Sequence, residues 1–219
     1  GFQIKLDPFK EPTDFGTASV LDVLVEWLVE GHITQITSAR DGKSVFPAVS
    51  LVAGVSFARA AIHKNPIVVI ETKSGDRLCM TVGGRLESFD LLNKINALSL
   101  GMAPVYDYNG VVFPQVDLDR EVDISWLKQL WTTAEDHHDY EVTQALQQTK
   151  FRMNEKGARA QSAVAIGISR CTSIQPVRPP VVIDEPFLVW IERPGLKQPL
   201  FTGWISEENW KTPKDLSIQ

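Results

Sequence analysis

The stretch ALQQTKFRMNEKGARAQSAVAIGIS, residues 145–169, decides how this chain is read. After Glu155-Lys156-Gly157, two sets of residues alternate. Ala158, Ala160, Ser162, Val164, Ile166 and Ile168 are small at first, then branched and apolar. Arg159, Gln161, Ala163, Ala165, Gly167 and Ser169 include every charged or amide side chain beyond Gly157 in the stretch. Alternation with a period of two predicts a strand, one face against a core and the other in water. The first inward residues are unusually slim, and slim residues slip between two existing strands where bulky ones clash. Then the texture changes: Arg170-Cys171-Thr172-Ser173-Ile174-Gln175 leads into Pro176, Pro179 and Pro180. Prolines donate nothing to a ladder and favour extended, exposed chain. The expectation is a strand-competent segment running into an exposed tip; an ordinary strand followed by a loop is the plain alternative.

Outward from this stretch, residues 17–30 read as a helix, with Val20, Leu24, Trp27 and Leu28 at helical spacing, Thr17 or Ser19 at the start and Gly31 at the end. Residues 45–62 are apolar without clean alternation, which predicts a central strand buried on both faces. PIVVIET (66–72) and RLCMTVG (77–83) predict a hairpin across Lys73-Ser74-Gly75-Asp76. DLLNKINAL (90–98) reads as a short helix. VVFPQVDLD (111–119) reads as a strand with Pro114 at an edge or bulge. Residues 123–131 read as a helix capped by Asp123, and residues 186–191 and 199–205 as a closing hairpin. Helices mixed with largely antiparallel strands give an α+β class, expected as one domain over residues 1–219.

Composition narrows the function. A chain of 219 residues with 43% hydrophobic and 22% charged residues has the makings of a sizeable core. Its net charge of −5 provides no basic field for nucleic acid or an anionic membrane, and neither partner is expected. No apolar run approaches the length of a membrane span. Two cysteines, Cys79 and Cys171, make no disulfide framework; free thiols are expected, Cys79 in a strand and Cys171 in a loop.

No nucleophile elbow, phosphate loop, dinucleotide glycine pattern or HExxH is present, and no cofactor is expected. His137-His138 lie among Glu135, Asp136 and Asp139. Adjacent side chains do not converge on one ion in a regular helix, so a solvated acidic loop is the simpler reading and no metal is expected. Cys171 lacks any activating motif, which makes nucleophilic catalysis the weaker class of reading.

Several stretches, in order, resemble serpins. Asp14-Phe15 with LVEWLVEGHITQI (24–36) resembles a family helix, and IVVIETKSGDRLCMTVG (67–83) is similar to a family hairpin. VVFPQVDLDREVDISWLKQL (111–130) resembles the segment that follows. KFRMNEKGARAQSAVAI (150–166) is similar to the hinge pattern E-x-G-x-x-A-x-A-x-T, and VVIDEPFLVWIERPGLKQPLFTGWI (181–205) resembles the family's closing strands.

The resemblance implies a serine or cysteine protease as partner and a reactive loop over about residues 155–180. In inhibitory serpins the protease cleaves this loop, and its upstream part inserts into the main sheet, carrying the acyl-enzyme with it. Glu155, Gly157, Ala158, Ala160 and Ser162 match the hinge. By family spacing the scissile bond follows Cys171, and slippage by one makes it follow Arg170; Arg170-Cys171-Thr172 is taken as the bait region. An extracellular or cell-envelope location comes from the resemblance alone.

The family fold is longer at its N-terminal side, so a reduced serpin or one fragment of a larger molecule is expected. A shortened sheet leaves an edge to cover, and a homodimer is one way to cover it. Gln147, Ala53 and Ala61 stand where the family has His, Asn and Trp. Three readings follow: a serpin-like protease inhibitor acting through its loop, a non-inhibitory serpin-like binding or structural protein, and an unrelated enzyme using Cys171.

Overall fold

A computed structural model of the chain describes residues 6–20, 25–122, 124–133, 135, 138–158 and 178–213. Its strands begin with β1 (Asp14–Val20), β2 (Val25–Glu26), β3 (His32–Thr37), β4 (Val45–Leu51), β5 (Val55–Arg59), β6 (Ile67–Glu71), β7 (Arg77–Val82) and β8 (Ala103–Val105). They continue with β9 (Val111–Pro114), β10 (Val116–Val122), β11 (Trp131–Thr133), β12 (Asp139–Met153), β13 (Gly157–Ala158), β14 (Val181–Val182), β15 (Phe187–Glu192) and β16 (Phe201–Ile205). Among the described residues there is one α-helix, α1 (Ser88–Gly101), with 3-10 turns at Ser125–Gln129 and Glu207–Asn209. The class is α+β. Two units divide the chain: residues 1–22 with 118–151 and 219, and residues 23–117 with 152–218.

The larger unit holds the main core, an antiparallel sheet in the order β16-β15-β7-β6-β5-β8. IVVIE of β6 and FLVWIE of β15 are buried at every residue but the last. On one face Ile67, Val69, Cys79, Leu188 and Trp190 pack with Leu91, Ile95 and Leu98 of α1. Those three helix positions fall on one side at helical spacing. The alternate residues Val68, Ile70, Leu78, Met80 and Val189 point the other way and are also buried. A sheet covered on both faces explains why these runs read as solid apolar blocks. Leu188 belongs to this core through β15, which is hydrogen-bonded to β7 on one side and β16 on the other.

The turn between β6 and β7 is tied to the one after β15. Arg193 donates from Nε and Nη2 to the two carboxylate oxygens of Asp76, both at 2.8 Å. The Asp76 side chain is only 2% exposed. The Arg193 hydrogen bonds hold its carboxyl below the usual carboxylate range, against the opposing effect of burial. A second sheet in the order β14-β9-β4-β3 is antiparallel except for β14, which runs parallel to β9.

In the smaller unit β12 is the central strand, in the order β1-β12-β10, and β11 pairs antiparallel with β12 off this path. β1 and β12 run parallel, from Asp14 opposite Glu141 to Val20 opposite Gln148, with one irregularity between Phe15 and Gly16. Gln144 of β12 fastens the preceding segment: its Oε1 accepts from Asp7 N at 2.6 Å and its Nε2 donates to Asp7 O at 2.9 Å.

Four readings of the sequence are corrected. The helix over 17–30 is instead two strands: β1 through Val20, then β2 from Val25, with Trp27 bridged to Thr72. Val25 and Trp27 are buried while Leu28 is exposed, so the true period here is two. Valine, stiff at its first side-chain torsion, supports the strand. The single strand over 45–62 is β4 and β5, which lie in different sheets. Gly54, at φ +68° between them, adopts the left-handed backbone that breaks the run. The strand over 111–119 splits after Pro114 into β9 and β10. The helix over 123–131 is a 3-10 turn followed by β11, and its N-cap is Ile124, without a side-chain cap. Both hairpins stand as expected, and the 90–98 helix is the middle of α1.

Candidate functional site

The slim segment opens on a fixed backbone. β12 ends at Met153, and Asn154 N donates to Gly157 O at 2.9 Å, turning the chain back on itself. Asn154 Oδ1 accepts from Lys156 N at 2.9 Å and holds the turn from inside. β13 then pairs antiparallel with β2, Gly157 opposite Glu26 and Ala158 opposite Val25.

The turn is clipped along its length. Trp27 N donates to Lys156 O at 3.1 Å, and Gly31 N donates to Glu155 O at 2.8 Å. The Trp27 indole Nε1 donates to Asn154 O at 3.0 Å. That ring is 1% exposed and meets Phe113 edge-on, with centroids 6.3 Å apart. Burial of the indole with its N–H satisfied makes it a strong anchor. Behind β2, Glu26 pairs with Lys73 Nζ at 2.9 Å.

Gly157 has no room for a side chain. A Cβ built there lies 2.3 Å from Val25 O and 2.9 Å from Glu26 Cα, both backbone atoms. Glycine is what allows the loop entry to lie against β2.

The far end is fixed too. Asn109 N donates to Pro179 O at 3.3 Å, and Val181 N donates to Gly110 O at 2.8 Å. Val181 and Val182 pair in parallel with Val111 and Val112. The segment between is therefore anchored to β2 at entry and to β9 at exit.

Of the expected site residues, Glu155 and Gly157 sit together in the turn, with the backbone of Ala158 on β2. Ala160, Ser162, Arg170, Cys171 and Thr172 lie outside the described residues, as does the alternation from Arg159 onward. Cys79 is a free thiol, fully buried under α1. Burial, then the Glu192 charge, push its pKa well up, which suits packing and not nucleophilic attack. His138 is exposed and His137 lies outside the described residues; no group of three or more His, Cys, Asp or Glu gathers among the described residues. Trp27 as an anchor was missed, because residues 17–30 read as a helix. The apolar-charged-apolar order of Val25, Glu26 and Trp27 was the available signal.

Residues 113–207 match the sequence model of the serpin family (serine protease inhibitor). Comparison with curated proteins gives no match. Among solved structures, the chain is similar to a serpin from Schistosoma mansoni, with 12% identity, a TM-score of 0.63, and 93% of this chain and 58% of that chain covered. It is also similar to Serpin48 of the insect Tenebrio molitor, with 18% identity, a TM-score of 0.58, and 83% and 52% covered. A third is thyroxine-binding globulin in complex with thyroxine, with 13% identity, a TM-score of 0.56, and 85% and 54% covered. The chain thus spans about half the length of the solved structures it matches. The matched stretch contains the turn at Glu155–Gly157 and the strand β14 that follows the segment beyond it, and the solved structures show that the chain has a serpin-like fold.

Proposed function

We propose that this chain is a serpin-like protease inhibitor, not an enzyme, whose loop is cleaved within Arg170-Cys171-Thr172 and then inserts between β1 and β12. The observation that carries the reading is the turn at Asn154–Gly157. It reverses the chain at the end of β12, so a strand continuing from Gly157 runs antiparallel to β12 and also to β1, its parallel neighbour. One parallel ladder is then exchanged for two antiparallel ladders, which gain hydrogen bonds and are slightly stronger per residue. Sheet completion of this kind, for which serpins are themselves a standing example, is strand addition. Small inward residues at Ala158, Ala160 and Ser162 let the new strand enter without displacing bulky neighbours. An arginine at the bait position directs the loop to a trypsin-like protease, whose specificity pocket is acidic.

Incubation with trypsin at low ratio tests this, read on a denaturing gel and by melting temperature. The expected result is a band at the summed mass that resists denaturant. Clean cleavage, with no such band and no rise in melting temperature, overturns it.

A second reading rests on the clip. Backbone bonds to Glu155 and Lys156, together with the Trp27 indole on Asn154, hold the loop entry in place. A loop entry held by these bonds favours a non-inhibitory serpin-like binding protein. On that reading trypsin cuts the loop and leaves unmodified, and the melting temperature stays where it was.

A further inference from the structure

The larger unit contains a cavity of about 540 Å³ beside the short strand β8, away from the turn at Gly157. That volume lies within the usual range for small-ligand pockets, roughly 300–1,000 Å³. We propose that it is a binding site for a small amphipathic ligand with an aromatic body and an acidic group, the acidic group set against Arg178.

Three features carry this. First, the walls are aromatic and apolar. Phe57 and Tyr108 stand with ring centroids 5.3 Å apart and tilted planes, and Tyr106 lies 73% exposed at the rim. Flat rings and an apolar floor take an aromatic body by offset or edge contacts.

Second, the charges are sorted. Arg77, also at the cavity, is neutralised by Glu192 at 2.7 Å. Nearby Arg59 is held by Asp107 at 3.5 Å and donates to Tyr108 Oη at 3.4 Å. Arg178 is half-buried and has no ion pair or side-chain hydrogen bond among the described residues. A guanidinium left without a carboxylate in such a place offers a charge-assisted, two-pronged contact to an acid.

Third, Glu71 also lines the cavity, half-buried, and its side chain pairs with no group among the described residues. It repels a simple anion and accepts from a ligand hydroxyl or amine. The site therefore selects for a molecule with its acid at one end and a donor elsewhere.

The probe is 8-anilinonaphthalene-1-sulfonate, an aromatic acid that fluoresces when its rings leave water, with 2-naphthoate and 2-naphthol as competitors. The expected result is saturable one-site binding to the folded chain, displaced by 2-naphthoate more effectively than by neutral 2-naphthol. Arg178→Gln should weaken it about tenfold, the order of one charge-assisted hydrogen bond. Tyr106→Ala, on the exposed rim, should weaken it as well, and Glu71→Gln should tighten it. Melting curves confirm that each variant is folded; Arg178→Lys serves if Arg178→Gln is not. Absence of saturable binding, or binding that Arg178 and Tyr106 variants leave unchanged, overturns the proposal.

Discussion

Gly157 concentrates most of the local geometry in one residue. Its hydrogen in place of a methyl group lets the loop entry lie against β2, because a Cβ meets backbone that cannot rotate aside. Gly157→Ala should destabilise the folded chain by about 1–3 kcal/mol, the usual range for overpacking, as read from urea midpoints. It should also speed proteolysis at residues 154–158. Asp76 makes a different case. Its folded pKa is depressed, so its contribution is present above the ordinary carboxylate pKa of about 3.9 and is lost as pH falls through the lower folded value. Arg193→Gln should lower the melting temperature at neutral pH, and the gap from the parent should narrow progressively below about pH 4. A gap of constant size down to acid would mean that the pair acts by shape alone. From sequence, Gly157 was legible as a slim hinge residue, but its close neighbour was not. Asp76 and Arg193 were both read as turn residues, and nothing in two separate turns says that they meet.

Elements differed in legibility according to how self-contained they are. The β6–β7 and β15–β16 hairpins could be read because turn chemistry and apolar runs lie next to each other in the chain. α1 could be read because its Leu91, Ile95 and Leu98 repeat at helical spacing. β1 and β2 could not, because what makes them strands is distant in sequence: β12 for the first, the turn at residues 154–157 for the second. Their own side chains fit both periods over a few residues, and only pairing decides. The break between β4 and β5 hung on one glycine, Gly54. Trp27 tests the importance of the distant partner. Trp27→Phe should retain most of the packing but lose the bond to Asn154 O, and Trp27→Ala should cost about 3–5 kcal/mol. Amide exchange at Lys156 and Gly157 should quicken in both. If Trp27→Phe leaves that exchange unchanged, the indole N–H does not hold the turn.

For the molecule as a whole, the two anchors of residues 159–177 matter more than the residues between them. The sequence located this segment by its alternation and its prolines, yet gave no sign of where either end is fastened. The strands that do so, β2 and β9, are separated from it in the chain and offer only backbone. The same logic extends past the exit. The portion of chain that follows supplies β14 to one sheet and β15 and β16 to another, with β15 between β7 and β16. A single cut anywhere in residues 159–177 therefore yields two polypeptides that behave as one particle. Mass spectrometry under native conditions should report an unchanged mass after limited proteolysis, while a denaturing gel shows two fragments; early loss of the smaller fragment under native conditions would contradict this. Severing the covalent chain leaves a non-covalent heterodimer whose two parts share an interior, so the cut changes what the loop is free to do without dismantling the body that carries it.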